Sequence, residues 1–126
     1  MNDRLWVGPV GDLIIVRLRG EPNEPLLRDC QEQVLHLVRT TGRSKVLYDT
    51  LEMLAPPAAL TFVQRAMDKE LGDLRLRRAI VVPDGRLAYL ARIAFGEGDY
   101  RVFYSDIITA VQWLSEGAAP AHLRQA

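Results

Sequence analysis

An uninterrupted apolar run, Ala79 to Val82, constrains the fold of this chain more than any other feature. It stands between Arg78 and the turn-forming sequence Pro83-Asp84-Gly85, and it is too short for a helix. A strand that is apolar at every position, and not only at alternate ones, is typical of a parallel sheet that is covered on both faces. The run therefore predicts a central strand, buried on both faces, in an α/β domain.

Two further strand-like segments open the chain. Leu5 to Val7 ends at Gly8-Pro9, and the β-branched segment Leu13 to Leu18 follows closely. Glycine and proline between two such segments predict a hairpin. Two short segments later in the chain, Lys45 to Asp49 and Tyr100 to Tyr104, also predict strands.

Helical patterns separate the remaining strands. Asn23 is a favourable N-cap for the first helix and Gly42 a favourable stop. Loop residues from Leu51 to Pro57 lead into a second helix, which Gly72 ends. A third helix covers Arg86 to Phe95, and a fourth follows Ser105-Asp106 through Leu114. Apolar residues recur at helical spacing in the first two helices: Leu26, Leu27, Cys30, Val34, Leu37 and Val38, then Leu60, Val63, Met67 and Leu71, widened by Ala59, Phe62 and Ala66.

The element order is therefore ββαβαβαβα. Strands alternating with helices predict parallel pairing through right-handed crossovers, with the opening hairpin as the antiparallel edge. We expect an α/β fold with a single mixed β-sheet of about five strands, an N-terminal antiparallel hairpin and four helices. The domain is expected over residues 1–115, with a mobile tail over 116–126, where no pattern is visible.

Composition excludes several classes of protein. The 126 residues carry 16 Lys+Arg and 16 Asp+Glu, so no net charge attracts nucleic acid. One cysteine excludes an intrachain disulfide and a cysteine-based zinc cluster. No apolar run approaches the ~20 residues of a membrane span, so no stable membrane insertion is expected. The N-terminus lacks the pattern of a secretory signal, and we expect a cytoplasmic protein.

Four stretches give the chain a family resemblance. They are Asp12 to Gly20, Lys45 to Asp49, Arg78 to Asp84, and Tyr100 to Tyr104 with the following Ala110 and Trp113-Leu114. Together they resemble the SpoIIAA-like group of the STAS superfamily, the fold of bacterial anti-sigma-factor antagonists. The resemblance covers nearly the whole chain and implies the same α/β fold.

The functional motif of that family matches poorly. In the antagonists the loop after the third strand contains an Asp-Ser pair, whose serine is phosphorylated by the partner kinase. The corresponding stretch here, Asp49 to Pro57, contains no serine, and Thr50 is its only hydroxyl. We therefore expect that the usual phosphorylation switch has been lost.

Candidate functional residues follow the carboxyl ends of two strands, where open α/β sheets bind ligands. Carboxylates there could bind a cation or act as acid and base, but no further ligand completes a coordination shell. We interpret them as an acidic loop, and we expect no metal, cofactor or catalytic set. The candidate residues for binding a partner or ligand are Asp49, Thr50, Glu52, Met53, Leu54, Pro56, Asp84 and Arg86.

Three hypotheses of function follow. The leading one is a non-enzymatic, STAS-like regulatory module that binds a protein partner or small ligand through loops at the strand ends. The alternative is a carrier of lipid or a small metabolite, with an apolar cleft near Met53, Leu54 and Phe62. The third is an enzyme that uses Asp49, Glu52 and Asp84.

Other chemically notable residues have plain interpretations. Cys30 lies on an apolar helix stripe and is interpreted as a buried, inert thiol, and His36 as a helix-surface residue. Gly96-Glu97-Gly98 follows a helix and is interpreted as its stop, not as a phosphate loop. A basic cluster is interpreted as a solvated loop, because acidic residues are interleaved with it: Lys69, Arg75, Arg77 and Arg78, with Asp68, Glu70 and Asp73.

The opening hairpin predicts self-association. Crossovers in one direction gather helices on one sheet face, and Trp6, Leu13 and Ile15 then contribute an apolar patch on the other. We expect a two-fold symmetric homodimer. The alternative is that the last helix, with Trp113 and Leu114, folds over that face and keeps the chain monomeric.

Overall fold

The computed structural model describes residues 3–71, 74–96 and 98–116. Within them the element order is ββαβαβαβα, as predicted. None of the helices in these three ranges has the length and hydropathy to span a membrane. The elements are β1 (Leu5–Val10), β2 (Leu13–Gly20), α1 (Glu24–Thr41), β3 (Lys45–Met53), α2 (Ala58–Lys69), β4 (Arg77–Val82), α3 (Gly85–Phe95), β5 (Asp99–Tyr104) and α4 (Ile107–Glu116).

One five-stranded mixed sheet organises the fold, with strand order β1-β2-β3-β4-β5. β1 pairs antiparallel with β2, and every other neighbouring pair is parallel. Because the three crossovers run in one direction, α1 and α3 pack on the same sheet face, with α2 against both helices. α4 follows the last strand without a crossover and lies on the other face. The predicted fold class is confirmed.

The predicted central strand is buried on both faces. Residues 79–82 of β4 are each at most 2% exposed. Ile80 and Val82 point into the larger core, under α1 and α3. Ala79 and Val81 point into a smaller core beneath α4. An uninterrupted apolar run is therefore the signature of a strand with two buried faces, as expected.

α4 closes much of the sheet face that the crossovers leave open. Ala110 and Leu114 of α4 are fully buried against a cluster that includes Leu13. The edge strand β1 remains uncovered, with Trp6 52% and Val10 48% exposed. The face therefore has the covering helix of the monomer alternative, and it also keeps a small exposed apolar edge, as the dimer prediction requires.

β3 is longer than the sequence suggested. The expected loop from Leu51 to Pro57 is wrong over its first three residues, since β3 continues through Met53. Beyond an irregularity after Arg17, β2 continues to pair with β3, with Arg19 opposite Glu52. Strand pairing persists because no turn-forming residue interrupts the chain before Pro56.

The second helix buries a narrower stripe than expected. Met67 is buried, but Ala59, Phe62 and Ala66, which were expected to widen the stripe, are exposed. The reason is the rotation of α2, which turns Thr61 inward to 1% exposure. α2 ends at Lys69, and Gly72 lies outside the described residues.

The interpretation of Arg77 and Arg78 as part of a solvated loop is also wrong. Both residues belong to β4, and Arg78 is only 6% exposed. Its guanidinium pairs with Asp68 of α2, and it lies 4.6 Å from the centre of the Phe95 ring. An arginine at a strand position can be buried when a carboxylate and an aromatic ring replace its water.

The helix ends follow the sequence signals. Asn23 Oδ1 accepts a hydrogen bond of 2.9 Å from Leu26 N, and Gly42 ends α1 with φ 72°. Asp106 caps α4 by accepting from Thr109 N at 2.9 Å. α4 ends at Glu116, one residue past the expected domain boundary, and the expected mobile tail from residue 117 onward lies outside the described residues.

Candidate functional site

The candidate site lies along the edge of the sheet where β3, β4 and β5 end. Parallel strands end at the same edge, so the first turns of α2, α3 and α4 also gather there. We call this side of the molecule the carboxyl edge. All eight candidate residues from the sequence lie on β3, on the loop after it, or at the start of α3.

Asp49 and Glu52 are both paired with β2. Asp49 is 7% exposed, accepts a hydrogen bond of 3.1 Å from Arg17 Nε, and accepts another from Leu51 N at 3.1 Å. Glu52 is exposed and accepts from Arg19 Nε at 3.0 Å. Each of the two carboxylates therefore forms an ion pair that joins β3 to β2.

Asp84 has a structural role of its own. Its Oδ1 accepts a hydrogen bond of 2.9 Å from Leu87 N and caps α3. Arg86 in the next turn is exposed. The three carboxylates of the enzyme hypothesis therefore serve three separate contacts, and the described residues contain no group of acidic, histidine or cysteine side chains arranged for a metal ion.

Thr50 faces the opposite side of β3 from Asp49. Its hydroxyl is 5% exposed and donates a hydrogen bond of 2.7 Å to the backbone carbonyl of Val81. Thr61, the next hydroxyl along the chain, is also buried and donates to Ala58 O at 2.5 Å. Both hydroxyls are committed to backbone carbonyls in the interior, so neither is presented to a solvent-borne enzyme.

Met53 and Pro56 line a small apolar cavity between the sheet and the helices α2 and α3. Its volume is about 40 Å³, whereas pockets that bind small ligands hold about 300–1,000 Å³. The other two residues of the expected cleft, Leu54 and Phe62, point outward and are 61% and 59% exposed. The cavity is too small for a lipid, and the apolar cleft expected for a carrier is an exposed apolar surface instead.

Five large hydrophobic side chains are exposed at the carboxyl edge. Only two other large hydrophobic residues among the described ones are similarly exposed, and both belong to β1. The five come from five different elements or loops, whose residues near this edge are brought there by the topology. We call them the carboxyl-edge ring: Leu54 (61% exposed), Phe62 (59%), Tyr89 (64%), Tyr104 (53%) and Ile108 (73%).

Two residues of this ring were expected at a site from the sequence: Leu54 as a candidate binding residue, and Phe62 with it in the cleft of the carrier hypothesis. Tyr89 and Ile108 carry a signal that went unused, because each is out of phase with the buried stripe of its helix. In α3 the buried residues include Leu87 and Leu90, and Tyr89 points away from them. A single large apolar residue on the polar side of a helix is ordinary. Several such residues exposed at one edge of a domain are a candidate binding surface.

Burial shifts the pKa values of three titratable groups in the described part of the chain. Cys30 is buried as expected, and burial raises the pKa of its thiol to about 12, with the nearby Asp29 adding to the effect. Burial also raises the pKa of Tyr48. Burial is the largest single influence on Arg78 and lowers its pKa, but the hydrogen bond to Asp68 and the interactions with Tyr48 together outweigh it, so the arginine pKa is raised.

Comparison with known proteins finds similarity at the level of structure. No protein-family model matches the sequence, and no match emerges among curated proteins. A serine-to-glutamate variant of RsbS from Moorella thermoacetica superposes with a TM-score of 0.70 and 13% identity, covering 94% of this chain and 100% of that one. The anti-sigma factor antagonist SpoIIAA in its unphosphorylated form gives a TM-score of 0.64 and 11% identity, covering 88% and 97%.

A third solved structure points the same way. A DUF3478 protein with a SpoIIAA-like fold from Shewanella loihica gives a TM-score of 0.62 and 16% identity, covering 87% of this chain and 91% of that one. All three structures share with this chain an α/β fold built on one sheet. The chain has the SpoIIAA-like fold that its sequence resemblance implied.

Proposed function

We propose that this chain is a non-enzymatic regulatory module that binds a protein partner through the carboxyl-edge ring. The observation that carries the proposal is the concentration of exposed apolar side chains at that edge. Burying such side chains against a partner is favourable by about 25 cal/mol per Å² of apolar surface. Two of the five are tyrosines and one is a phenylalanine, and aromatic residues are enriched at protein interfaces.

A protein partner fits this surface better than a small ligand does. The ring side chains stand outward from helices and loops, whereas the apolar cavity beneath them holds about 40 Å³. A small apolar molecule needs a concavity that surrounds most of its surface. A protein can instead bring a complementary surface to side chains that project. This contrast favours the module over the carrier.

Charged side chains of both signs border the ring, which indicates the kind of interface that a partner would form with it. Arg86 is exposed beside it, and Arg19 and Glu52 form an exposed pair at the end of β2 and β3. An apolar centre with a mixed polar rim is typical of transient protein interfaces. SpoIIAA is named as the antagonist of an anti-sigma factor, so an anti-sigma factor from the same organism is the first partner to test. The proposal places this interaction in the cytoplasm.

The proposed module lacks the phosphorylation switch of the antagonists. Thr50 is the only hydroxyl in the stretch from Asp49 to Pro57, and it is buried and bonded to Val81 O. Phosphorylating it would require β3 to leave β4 at that point. Partner binding at the carboxyl edge would therefore not be controlled by phosphate in this loop.

Titration of a purified anti-sigma factor into the protein tests the proposal. We expect saturable binding that weakens about tenfold or more in Phe62→Ser and in Tyr89→Ser, since interface aromatics are frequent hot spots. Val10→Ser is the matched control, because Val10 is 48% exposed on β1 and outside the ring. Equal loss in all three variants, or binding unaffected by the ring substitutions, would refute the assignment of the surface.

A further inference from the structure

A second surface lies at the opposite edge of the sheet, where β3, β4 and β5 begin. An open groove of about 910 Å³ runs between the starts of these strands, the end of α2 and the end of α3. We call it the amino-edge groove. It shares no residue with the carboxyl-edge ring.

Among the described residues, the groove is lined by more cations than carboxylates. The two carboxylates of this described lining are both occupied: Asp68 pairs with Arg78, and Asp99 pairs with Arg77 at 3.2 Å. Four basic side chains therefore remain without a groove carboxylate, although the chain as a whole has no net charge. The six basic residues lining the groove are Lys45, Arg65, Lys69, Arg75, Arg77 and Arg78.

Three of these cations are available to a ligand. Arg65, Lys69 and Arg75 are exposed, and none of them forms an ion pair with any of the described residues. Lys45 also lines the groove, but its Nζ forms an ion pair of 3.7 Å with Asp12 outside the groove, which offsets its charge. Charges of one sign lining a cleft concentrate the opposite sign within it.

Two glycines shape the rim beside these cations. A Cβ at Gly96 would lie 3.5 Å from Arg65 Nε, and Gly96 has a φ of +59° that other residues rarely adopt. A Cβ at Gly98 would lie 3.1 Å from Arg78 Nη2. Each arginine therefore approaches one glycine, and Phe95 and Leu76 give the groove buried apolar lining.

We propose that the amino-edge groove binds the phosphate group of a small, soluble organic phosphate. Guanidinium groups match phosphate oxygens through paired hydrogen bonds, and Arg65 and Arg75 supply two of them. Lys69 supplies a third positive charge at the end of α2. The apolar lining accommodates the organic part of the ligand, while the cations bind the phosphate oxygens, which inorganic pyrophosphate also offers.

The competing explanation is that these cations serve only the protein itself. Lys69 stands in the last turn of α2, where a positive charge stabilises the helix dipole. Asp73 and Glu97, which lie outside the described residues, neighbour lining residues in the sequence. Under this explanation the groove binds no phosphate, and loss of the cations affects stability alone.

Isothermal titration with inorganic pyrophosphate at physiological ionic strength separates the two explanations. We expect one saturable site in the wild-type protein and about tenfold or greater weakening in the Arg65→Gln/Arg75→Gln double variant, because hydrogen bonds to charged groups are lost. The matched control is Arg39→Gln/Arg101→Gln, which removes the same charge from exposed positions outside the groove. It should bind as the wild type does.

Several results would overturn the proposal. They are the absence of saturable pyrophosphate binding, an equal loss in the control variant, citrate binding as tightly as pyrophosphate, and a single-stranded oligonucleotide binding more tightly than either. Circular dichroism and thermal unfolding of both double variants show that any loss occurs in folded protein. Because the groove and the ring are at opposite edges, partner binding is measured separately and neither proposal depends on the other.

Discussion

The hydroxyl of Thr50 donates a hydrogen bond of 2.7 Å to the carbonyl of Val81, joining the carboxyl ends of β3 and β4. This bond places the single hydroxyl of the Asp49–Pro57 stretch inside the domain. An unpaired carbonyl or a charge at this point would be buried without solvation. Phosphorylation of this hydroxyl would therefore require its hydrogen bond to Val81 to break.

The first prediction concerns this position. Thr50→Glu should lower the free energy of unfolding by at least about 3 kcal/mol, because it places an unpaired charge in the interior. Thr40→Glu, at an exposed position in the last turn of α1, should lower it by only about 1 kcal/mol or less, the effect of a negative charge on the helix dipole. Urea unfolding of both variants provides the measurement. Equal midpoints, or stoichiometric phosphate on Thr50 after treatment with a cognate kinase, would show that the site is accessible.

The second prediction contrasts two isoleucines. Ile80→Asp should cost several kcal/mol, enough to threaten a domain with about 5–15 kcal/mol of stability, because Ile80 is 2% exposed in β4. Ile108→Asp introduces the same side chain at a position that is 73% exposed, and its melting temperature should stay near that of the wild type. A soluble Ile80→Asp protein with an unchanged melting temperature would contradict the central-strand assignment.

The third prediction concerns the buried ion pair between β4 and α2. Arg78→Met should destabilise the domain by about 3–5 kcal/mol, because Asp68 would keep a partly buried charge without a partner. The exposed pair of Arg28 and Glu24 is the control, and Arg28→Met should cost about 0.5 kcal/mol or less. Thermal unfolding at neutral pH gives both values. Similar costs for the two substitutions would mean that burial adds nothing to the inner pair.

Local sequence signals predicted most of the fold. Some features depend only on residues close in the chain, so they can be predicted without the tertiary structure. Examples are the apolar run in β4, the cap at Asn23 and the stop at Gly42. The end of β3 could not be predicted from the local sequence, because Glu52 is held in the strand by pairing with Arg19 from β2. Arg78 was misread for the same reason, since its partners come from α2 and α3.

The sequence predicted the edge of the sheet at which the candidate residues lie, but not which of their side chains are exposed. Topology indicated the carboxyl edge, and all eight candidate residues lie there. Which of them point outward depends on the rotation of each helix, which packing sets. α2 turns Thr61 inward and Phe62 outward, and neither orientation follows from composition. The binding roles of these residues remain a prediction.

The fourth prediction is the homodimer. β1 is the antiparallel edge of the sheet, and Trp6 stands 52% exposed on it. Uncovered edge strands tend to pair, so we expect sedimentation equilibrium at micromolar concentration to give twice the chain mass of 14.2 kDa. Trp6→Glu should give the single-chain mass, while Tyr104→Glu should leave the dimer intact. A mass of 14.2 kDa for the wild type would mean that α4 covers enough of the face.

The central claim, that the carboxyl-edge ring is the partner surface, is tested most directly by mapping amide chemical shifts as an anti-sigma factor is added. The account predicts that the perturbed amides cluster at residues 54–62, 84–89 and 104–108, where the exposed side chains lie. The amides of β1 and of the amino-edge groove should stay unperturbed in the same titration. Perturbations confined to residues 5–10, or to residues 74–78 and 98–99, would contradict the account.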